Sequence, residues 1–550
     1  MGSGESSMKM PLCRGVDIEE LSIQQLQDHL AKDSFTSNDL VKCYLRRIEL
    51  LNPRVKAVIE TNPDALHIAD ELDAERRNGK VRSRIHGIPF LVKDNIATAD
   101  KMQTTAGCRA LLDTVVPCDA DVVERLRAGG GVLLGKANLS EWASMRASYY
   151  SEAYSSRGGQ NRNPYNLAQH PGGSSSGSAS ALAANMCAFS IGTETDGSVM
   201  FPADRNALVG IKPTVGLTST KGVIPESPSM DTVGTFGRSL EDATVILDMI
   251  AERHGSGANP DQSCPASSSY TSNLAKKDAL KGAKFGLPVK GVWASAAKSA
   301  KHKTEYAALQ QLIKQLEGAG AEIFETDFPS ADEIIPPSGW DWTYAEGKSG
   351  SKLSEFEVVK VEFYQSLAKY LSTVENNTNK ILSLEDIVSY NIKHTGTEGG
   401  VPGTHPAWPT GQDSFDKCLE ARDGDEADYR RALGYIQRKS RLEGIDAALE
   451  HADAGRLDCL LVPLQADGGV ACSVAAKAGY PMVTVPVGVS DCGVPFGLGL
   501  IQTAWKEESL IRYGSAIEDL MQRPRARPKF LNFDADNYPL IGSPPSKTGE

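Results

Sequence analysis

The stretch Gly172–Asn185 constrains the fold of this chain more than any other, because it is almost wholly Gly, Ser and Ala. Side chains this small let backbones approach closely, so a helix built from them belongs in a packed core rather than on a surface. The Gly/Ser start reads as a loop and Ser176–Asn185 as a helix; a flexible Gly/Ser linker would not continue into an Ala-rich helical stretch. A Gly/Ser loop opening a helix also leaves backbone N–H groups free to meet an anion. Ala188–Ile191 then reads as a short strand leading into Gly192–Phe201.

Alternating elements surround this segment. Leu40, Val41, Tyr44, Leu45 and Ile48 repeat at helical spacing over Thr36–Ile48, with Thr36 and Asp39 as a capping box and Asn52-Pro53 as its expected end. Val55–Ile59, Ile88–Val92 and Gly131–Leu134 read as strands, and Pro63–Arg77 and Asp121–Ala128 as helices. Such alternation predicts an α/β architecture with a central sheet. Residues 330–430 differ: they are polar, interspersed with Trp340, Trp342, Tyr344, Phe363 and Trp408, and broken by Gly399, Gly400 and Gly403. We read them as an insertion into one domain spanning 17–530, with tails at 1–16 and 531–550. Apolar strands return over Val462–Gly499.

Composition excludes several classes. The chain has 550 residues, 40% of them hydrophobic, and a net charge of −12. That balance, without basic clusters, argues against nucleic-acid binding. The ten cysteines form no C-x-x-C pair, and a core this large does not need disulfides, so free thiols in a reducing compartment are expected. Met1–Gly15 lacks the apolar core of a secretory signal, no run is long enough to cross a membrane, and a cytoplasmic location follows as the expectation. Gly2 with Ser6 fits a myristoylation pattern that matches often by chance, with no basic cluster after it. The nine histidines lack H-x-x-x-H spacing, so neither metal nor other cofactor is expected.

Three blocks carry chemistry. His86–Asn95 (HGIPFLVKDN) puts Lys93 at the end of an apolar strand, where desolvation would favour a neutral, basic amine; a surface pair with Asp94 is the plainer reading. Pro171–Ala179 is the Gly/Ser loop. Gly192–Ser198 (GTETDGS) has glycines that permit a tight turn with successive N–H groups inward, a geometry suited to an oxyanion.

Together these blocks resemble the amidase signature family, whose pattern pairs a G-I-P-x-x-V-K-D-N block with G-G-S-S-G-G-S-A-like and G-T-D-x-G-G-S blocks. Ser174 and Ser198 lie 24 residues apart, as in the family. The resemblance runs from about residue 20 to 520. It implies a central mixed, twisted β-sheet covered on both faces by α-helices. It implies Ser198 as nucleophile, Ser174 as bridging serine after a cis Gly173–Ser174 peptide, and Lys93 as terminal base. It further implies N–H groups of Thr195, Asp196, Gly197 and Ser198 as oxyanion donors, and a small-molecule or short peptide amide as substrate for a monomer or homodimer.

The third block departs from the commoner form in Glu194 and Asp196. With Asn138–Trp142 (NLSEW), Arg157–Pro164 and Gly210–Leu217, it is similar to the branch holding bacterial peptide amidase and plant and fungal relatives. Many relatives carry Ile-Arg after the nucleophile; here it is Val199-Met200. Loss of an arginine that can clamp a carboxylate points to neutral or apolar amides, with Met200 either lining the pocket or packing in the core. Ser175, Trp142, Tyr149 and Tyr150 are further candidates for the substrate pocket, as is the Trp340–Tyr344 cluster. The alternatives are a peptide C-terminal amide hydrolase, a subunit resembling the tRNA-dependent amidotransferase A subunit, an α/β-hydrolase built on Gly173–Gly177 as G-x-S-x-G, and a non-enzymatic binding protein.

Overall fold

The computed structural model describes residues 8–252, 269–334, 352–375, 377–424 and 426–532. Gly2, Ser6, Trp340, Trp342 and Tyr344 lie outside these residues. Eleven strands form one mixed sheet: β1 (Val58–Thr61), β2 (Pro89–Lys93), β3 (Val132–Ala137), β4 (Phe189–Glu194), β5 (Val209–Lys212), β6 (Thr232–Gly237), β7 (Lys284–Pro288), β8 (Glu322–Thr326), β9 (Cys459–Pro463), β10 (Met482–Val489) and β11 (Pro495–Ile501). Their order across the sheet is β1-β3-β2-β4-β6-β5-β10-β11-β9-β7-β8. β2 is parallel to both its neighbours, β3 and β4, whereas β4 meets β6 antiparallel. Helices flank both faces, as expected of an α/β chain whose β2, β3 and β4 are buried along their whole length.

The elements follow the sequence closely except where a local signal competes with packing. The helix Ser37–Val55 begins at Thr36, whose side chain and that of Asp39 make the expected capping box. It does not stop at Asn52-Pro53 but runs through Pro53 to Val55. The turn that follows, with Lys56 in the left-handed region, pushes the expected strand to Val58. Proline costs a helix its i−4 hydrogen bond, which matters little in a last turn whose inward residues Leu51 and Val55 are fully buried.

The small-residue helix, Ser176–Ala183, is buried at every position and packs against β2, β3, β4 and β6. Two of its hydroxyls are paired, Ser178 donating to the Ile191 carbonyl at 3.0 Å and Ser180 to Asn161 at 3.0 Å, and Ser190 of β4 donates back to the Ser178 carbonyl at 2.7 Å. Arg47 Nε donates to the Ala184 carbonyl at 2.9 Å, capping the helix end. Beside the sheet, helices Glu355–Leu371, Leu384–Lys393 and Asp413–Leu419 enclose a second core, in which Phe363, Phe415 and Leu367 meet Trp142, Met145 and Leu139.

Two glycines separate close packing from helix propensity. A Cβ on Gly177 would lie 2.3 Å from both the Ala57 carbonyl oxygen and the Asn138 nitrogen, both backbone atoms that cannot swing away. A Cβ on Gly434, inside helix Glu426–Ser440, would meet nothing within 4 Å. Gly434→Ala should therefore raise stability by about 0.5–1 kcal/mol, while Gly177→Ala should lower it by roughly 1–3 kcal/mol. Opposite shifts in the thermal midpoints of the two variants are the expected result; a shift of the same sign would contradict it.

Candidate active site

Three side chains from three segments form a continuous chain of hydrogen bonds. Lys93, the last residue of β2, donates through Nζ to Ser174 Oγ at 2.7 Å, and Ser174 Oγ donates to Ser198 Oγ at 2.9 Å. Lys93 Nζ also donates to Thr193 Oγ1 at 2.8 Å and to the Thr193 carbonyl at 3.2 Å. The Gly173–Ser174 peptide is cis. Lys93 is 0% exposed, and no carboxylate among the described residues makes an ion pair with it. Burial therefore brings its amine down to about 7, against the opposing pull of Glu226, Asp231, Glu194 and Glu152 further off. A lysine poised near neutrality and bonded to a serine can take a proton; one paired with Asp94 could not. Asp94 itself faces away, accepting from Thr105 Oγ1 and the Gly107 N–H.

The turn Thr195–Ser198 leaves β4, and each side chain leading into it is tied down separately. Glu194 Oε2 accepts from the N–H groups of Val199 and Met200 at 2.6 and 2.9 Å. Thr195 Oγ1 lies 2.6 Å from Asp231 Oδ1 and 2.9 Å from Glu226 Oε2. Asp196 Oδ2 accepts from Ser473 Oγ at 2.6 Å. Gly197 turns with φ +76°, packed so tightly on the Phe201 ring that a Cβ would come within 2.2 Å of it. The N–H groups of Thr195, Asp196, Gly197 and Ser198 donate to no group among the described residues.

One hydroxyl hydrogen cannot serve two carboxylates, so the Thr195 contacts require a proton on one of them. Asp231 Oδ2 already accepts from the N–H groups of Glu226 and Ser227. That leaves Glu226 as the protonated partner, its carboxyl raised well above the usual range by burial and then by Asp231. Burial likewise raises Glu194 and Glu152. Glu152 accepts from Ser140 Oγ and lies against Gly173, where a Cβ would come within 1.9 Å of Glu152 Oε1.

The other sequence candidates divide. Tyr150 stays near the site, with its hydroxyl 3.4 Å from Glu152 Oε2. Tyr149 is half-buried and linked through its backbone to Thr410. Met200 takes the second of its two readings: it is fully buried in the main core with its methyl toward Gly210, because its short helix, Met200–Asp204, presents it to the sheet. Trp142 sits edge-on to Phe363 and Phe415 inside the second core. Ser175 braces rather than lines the site, donating through Oγ to the Thr193 carbonyl at 2.9 Å and through N–H to the Ser198 carbonyl. As the serine of the G-x-S-x-G reading, it is thus turned into the structure. Thr193, inside the Gly192–Ser198 block, and Phe201, three residues beyond it, are functional positions that the motif alone does not single out; Glu152, Glu226, Asp231 and Lys477 carry no local sequence signal. Buried Cys108, Glu141 and Glu398 come within 4.8 Å of one another, but Arg146 at 2.5 Å from Glu141 and Arg109 at 3.8 Å from Glu398 already supply the cations.

A family model described as Amidase matches residues 39–397. A Schizosaccharomyces pombe protein named as an amidase is 48% identical over 540 residues, covering 96% of this chain and 90% of that protein. An Arabidopsis thaliana protein, also named as an amidase, is 36% identical over 537 residues, covering 96% and 94%. The native peptide amidase of Stenotrophomonas maltophilia superposes with a TM-score of 0.79 at 37% identity, over 93% of this chain and 99% of that one.

Glu194 tests how the turn is held. Glu194→Ala leaves two buried N–H groups without an acceptor, each costing about 1–3 kcal/mol, and should lower the thermal midpoint markedly. Glu194→Gln keeps one acceptor oxygen and should lose less. Equal midpoints for the two variants would contradict this account.

Proposed function

This chain belongs to the amidase family, and we propose that it hydrolyses neutral carboxylic amides to an acid and ammonia or an amine through Ser198, Ser174 and Lys93. The hydrogen-bonded chain from buried Lys93 through Ser174 to Ser198 carries this reading. An amide carbonyl is a poor electrophile and a serine hydroxyl a weak nucleophile, so the reaction needs a base and a site for developing negative charge. Neutral Lys93 takes the Ser174 proton as Ser174 takes that of Ser198, reversing the resting direction of both bonds. Ser198 Oγ bonds to the carbonyl carbon, and the oxygen, now negative, accepts from the N–H groups of residues 195–198. The proton returns from Lys93 through Ser174 to the amide nitrogen, the C–N bond breaks, and the amine leaves an acyl-Ser198 ester. Water then repeats the path and releases the acid.

The preference for neutral amides rests on electrostatics rather than on Met200. Asp231 stays ionised beside the turn and acts on Lys93, so a carboxylate on the substrate would meet a like charge there. A peptide C-terminal amide is the second reading, favoured by the 37% identity with a peptide amidase over nearly the whole of both chains. Ammonia release from a panel of primary amides, anilides and C-terminally amidated peptides separates the two.

Ser198→Ala should abolish turnover, and Lys93→Ala should lower kcat by roughly 10²–10⁴-fold, the range for loss of a general base. Because Lys93 must be neutral to act and is held at about 7, kcat/KM should fall as pH drops through about 7 and level off above it. A pH profile flat from 5 to 9, or turnover in Ser198→Ala, would rule the mechanism out.

A further inference from the structure

A second buried lysine lies beside the turn, and the reaction as described does not use it. Lys477, on helix Val470–Ala478, is 3% exposed. Its Nζ is 2.5 Å from Glu355 Oε2, donates to Ser473 Oγ at 2.5 Å, and lies 3.6 Å from Asp196 Oδ2. Ser473 Oγ in turn donates to Asp196 Oδ2 at 2.6 Å. The donors are ordered: the ammonium can only donate and the Asp196 carboxylate can only accept, so the single Ser473 hydrogen goes to Asp196. Asp196 lies two residues before Ser198, so this relay grips the same turn that exposes the free N–H groups. Glu355 opens helix Glu355–Leu371, whose inner face builds the second core.

We infer that Lys477 is a positioning residue for the turn Thr195–Ser198: acting through Ser473 and Asp196, it fixes the N–H groups that receive the oxyanion, and through Glu355 it ties that turn to the first turn of the overlying helix. The tether complements the other two. Glu194 holds the turn to the start of the next helix and Thr195 holds it to Asp231 and Glu226, both toward β6. Asp196 is held from helix Val470–Ala478, which the chain reaches 277 residues later. A turn of three or four residues anchored from separate elements has little freedom to follow the substrate. That is the requirement for donors aimed at the position the oxygen takes in the transition state rather than in the ground state. The charge arrangement fits a structural role: burial opposes the Lys477 charge, but Glu355 and Asp196 outweigh it and hold the ammonium above the ordinary lysine range. Lys93, with hydroxyl and carbonyl oxygens for neighbours, goes the other way.

The inference rests on the amidase reading. Its test uses the full chain and one amide that the wild type hydrolyses. A trifluoromethyl ketone analogue of that amide forms a tetrahedral adduct with Ser198 and carries the negative oxygen; the product acid does not. Lys477→Met and Ser473→Ala should lower kcat about tenfold to a hundredfold, the scale of a misplaced catalytic group, with KM changed by less than about twofold. The ketone should weaken by the factor lost in kcat/KM while the product acid binds as before, and Ser473→Thr, which keeps the hydroxyl, should restore most of the rate. Should Lys477→Met fail to fold, Ser473→Ala, which removes one oxygen, carries the test. Unchanged kcat in Ser473→Ala, or ketone and acid weakening together, would overturn the assignment of Lys477. A wild type that turns over no amide would instead overturn the reading beneath it.

Discussion

Everything in the site depends on keeping one amine dry. Moving an ammonium out of water costs several kcal/mol even after relaxation, and a buried lysine escapes that cost by finding anions or by losing its proton. The fold uses both routes. Lys477 keeps its charge between Glu355 and Asp196. Lys136 finds the Ile96 carbonyl and Thr104 Oγ1 and drops to about 8; Lys93 finds Ser174 and Thr193 and drops to about 7. What distinguishes Lys93 is that one of its partners, Ser174, is itself bonded to a second hydroxyl, that of Ser198.

Dryness at Lys93 is a packing result. β2 must be interior, which its place between β3 and β4 provides. The space against these strands must be filled without pushing Ser174 out of reach, which calls for a helix as thin as Ser176–Ala183. The Ala57 and Asn138 backbones approach Gly177 so closely that even a methyl group does not fit. The small-residue composition thus acts at a distance: it lets the Gly/Ser loop before the helix settle between the ends of β2 and β4, where Ser174 bridges Lys93 and Ser198.

How much of this was readable follows from how far apart the cooperating residues lie in the chain. Helix Asp121–Ala128 was legible to the residue, and the small-residue helix nearly so, because its information sits in consecutive positions. The three blocks, each short and contiguous, were legible as a resemblance that named Lys93, Ser174 and Ser198 before any geometry. Orientation within short elements was not. Met200 and Trp142 each turn into a core, since a helix of five residues and a helical turn of four have too few positions to show a periodic face. Nor could the sequence reveal partners that meet only in three dimensions, such as Thr195 with Glu226 or Asp196 with Ser473.

The ring of carboxyls around the site looks unfavourable for a reaction that creates a negative oxygen, yet it suits the proton's path. In the resting state burial outweighs the pull of the carboxyls and holds the Lys93 amine at about 7. As Ser198 attacks, two charges form together: the oxyanion at the turn and the ammonium at Lys93. The proton that Glu226 shares at Thr195 removes one negative charge from the neighbourhood of the oxyanion. Asp231, which stays ionised beside it, pulls the Lys93 amine upward and so favours the charged form. A group that lowers the neutral fraction of Lys93 at rest therefore stabilises the state in which it holds the proton, which is the differential stabilisation catalysis requires.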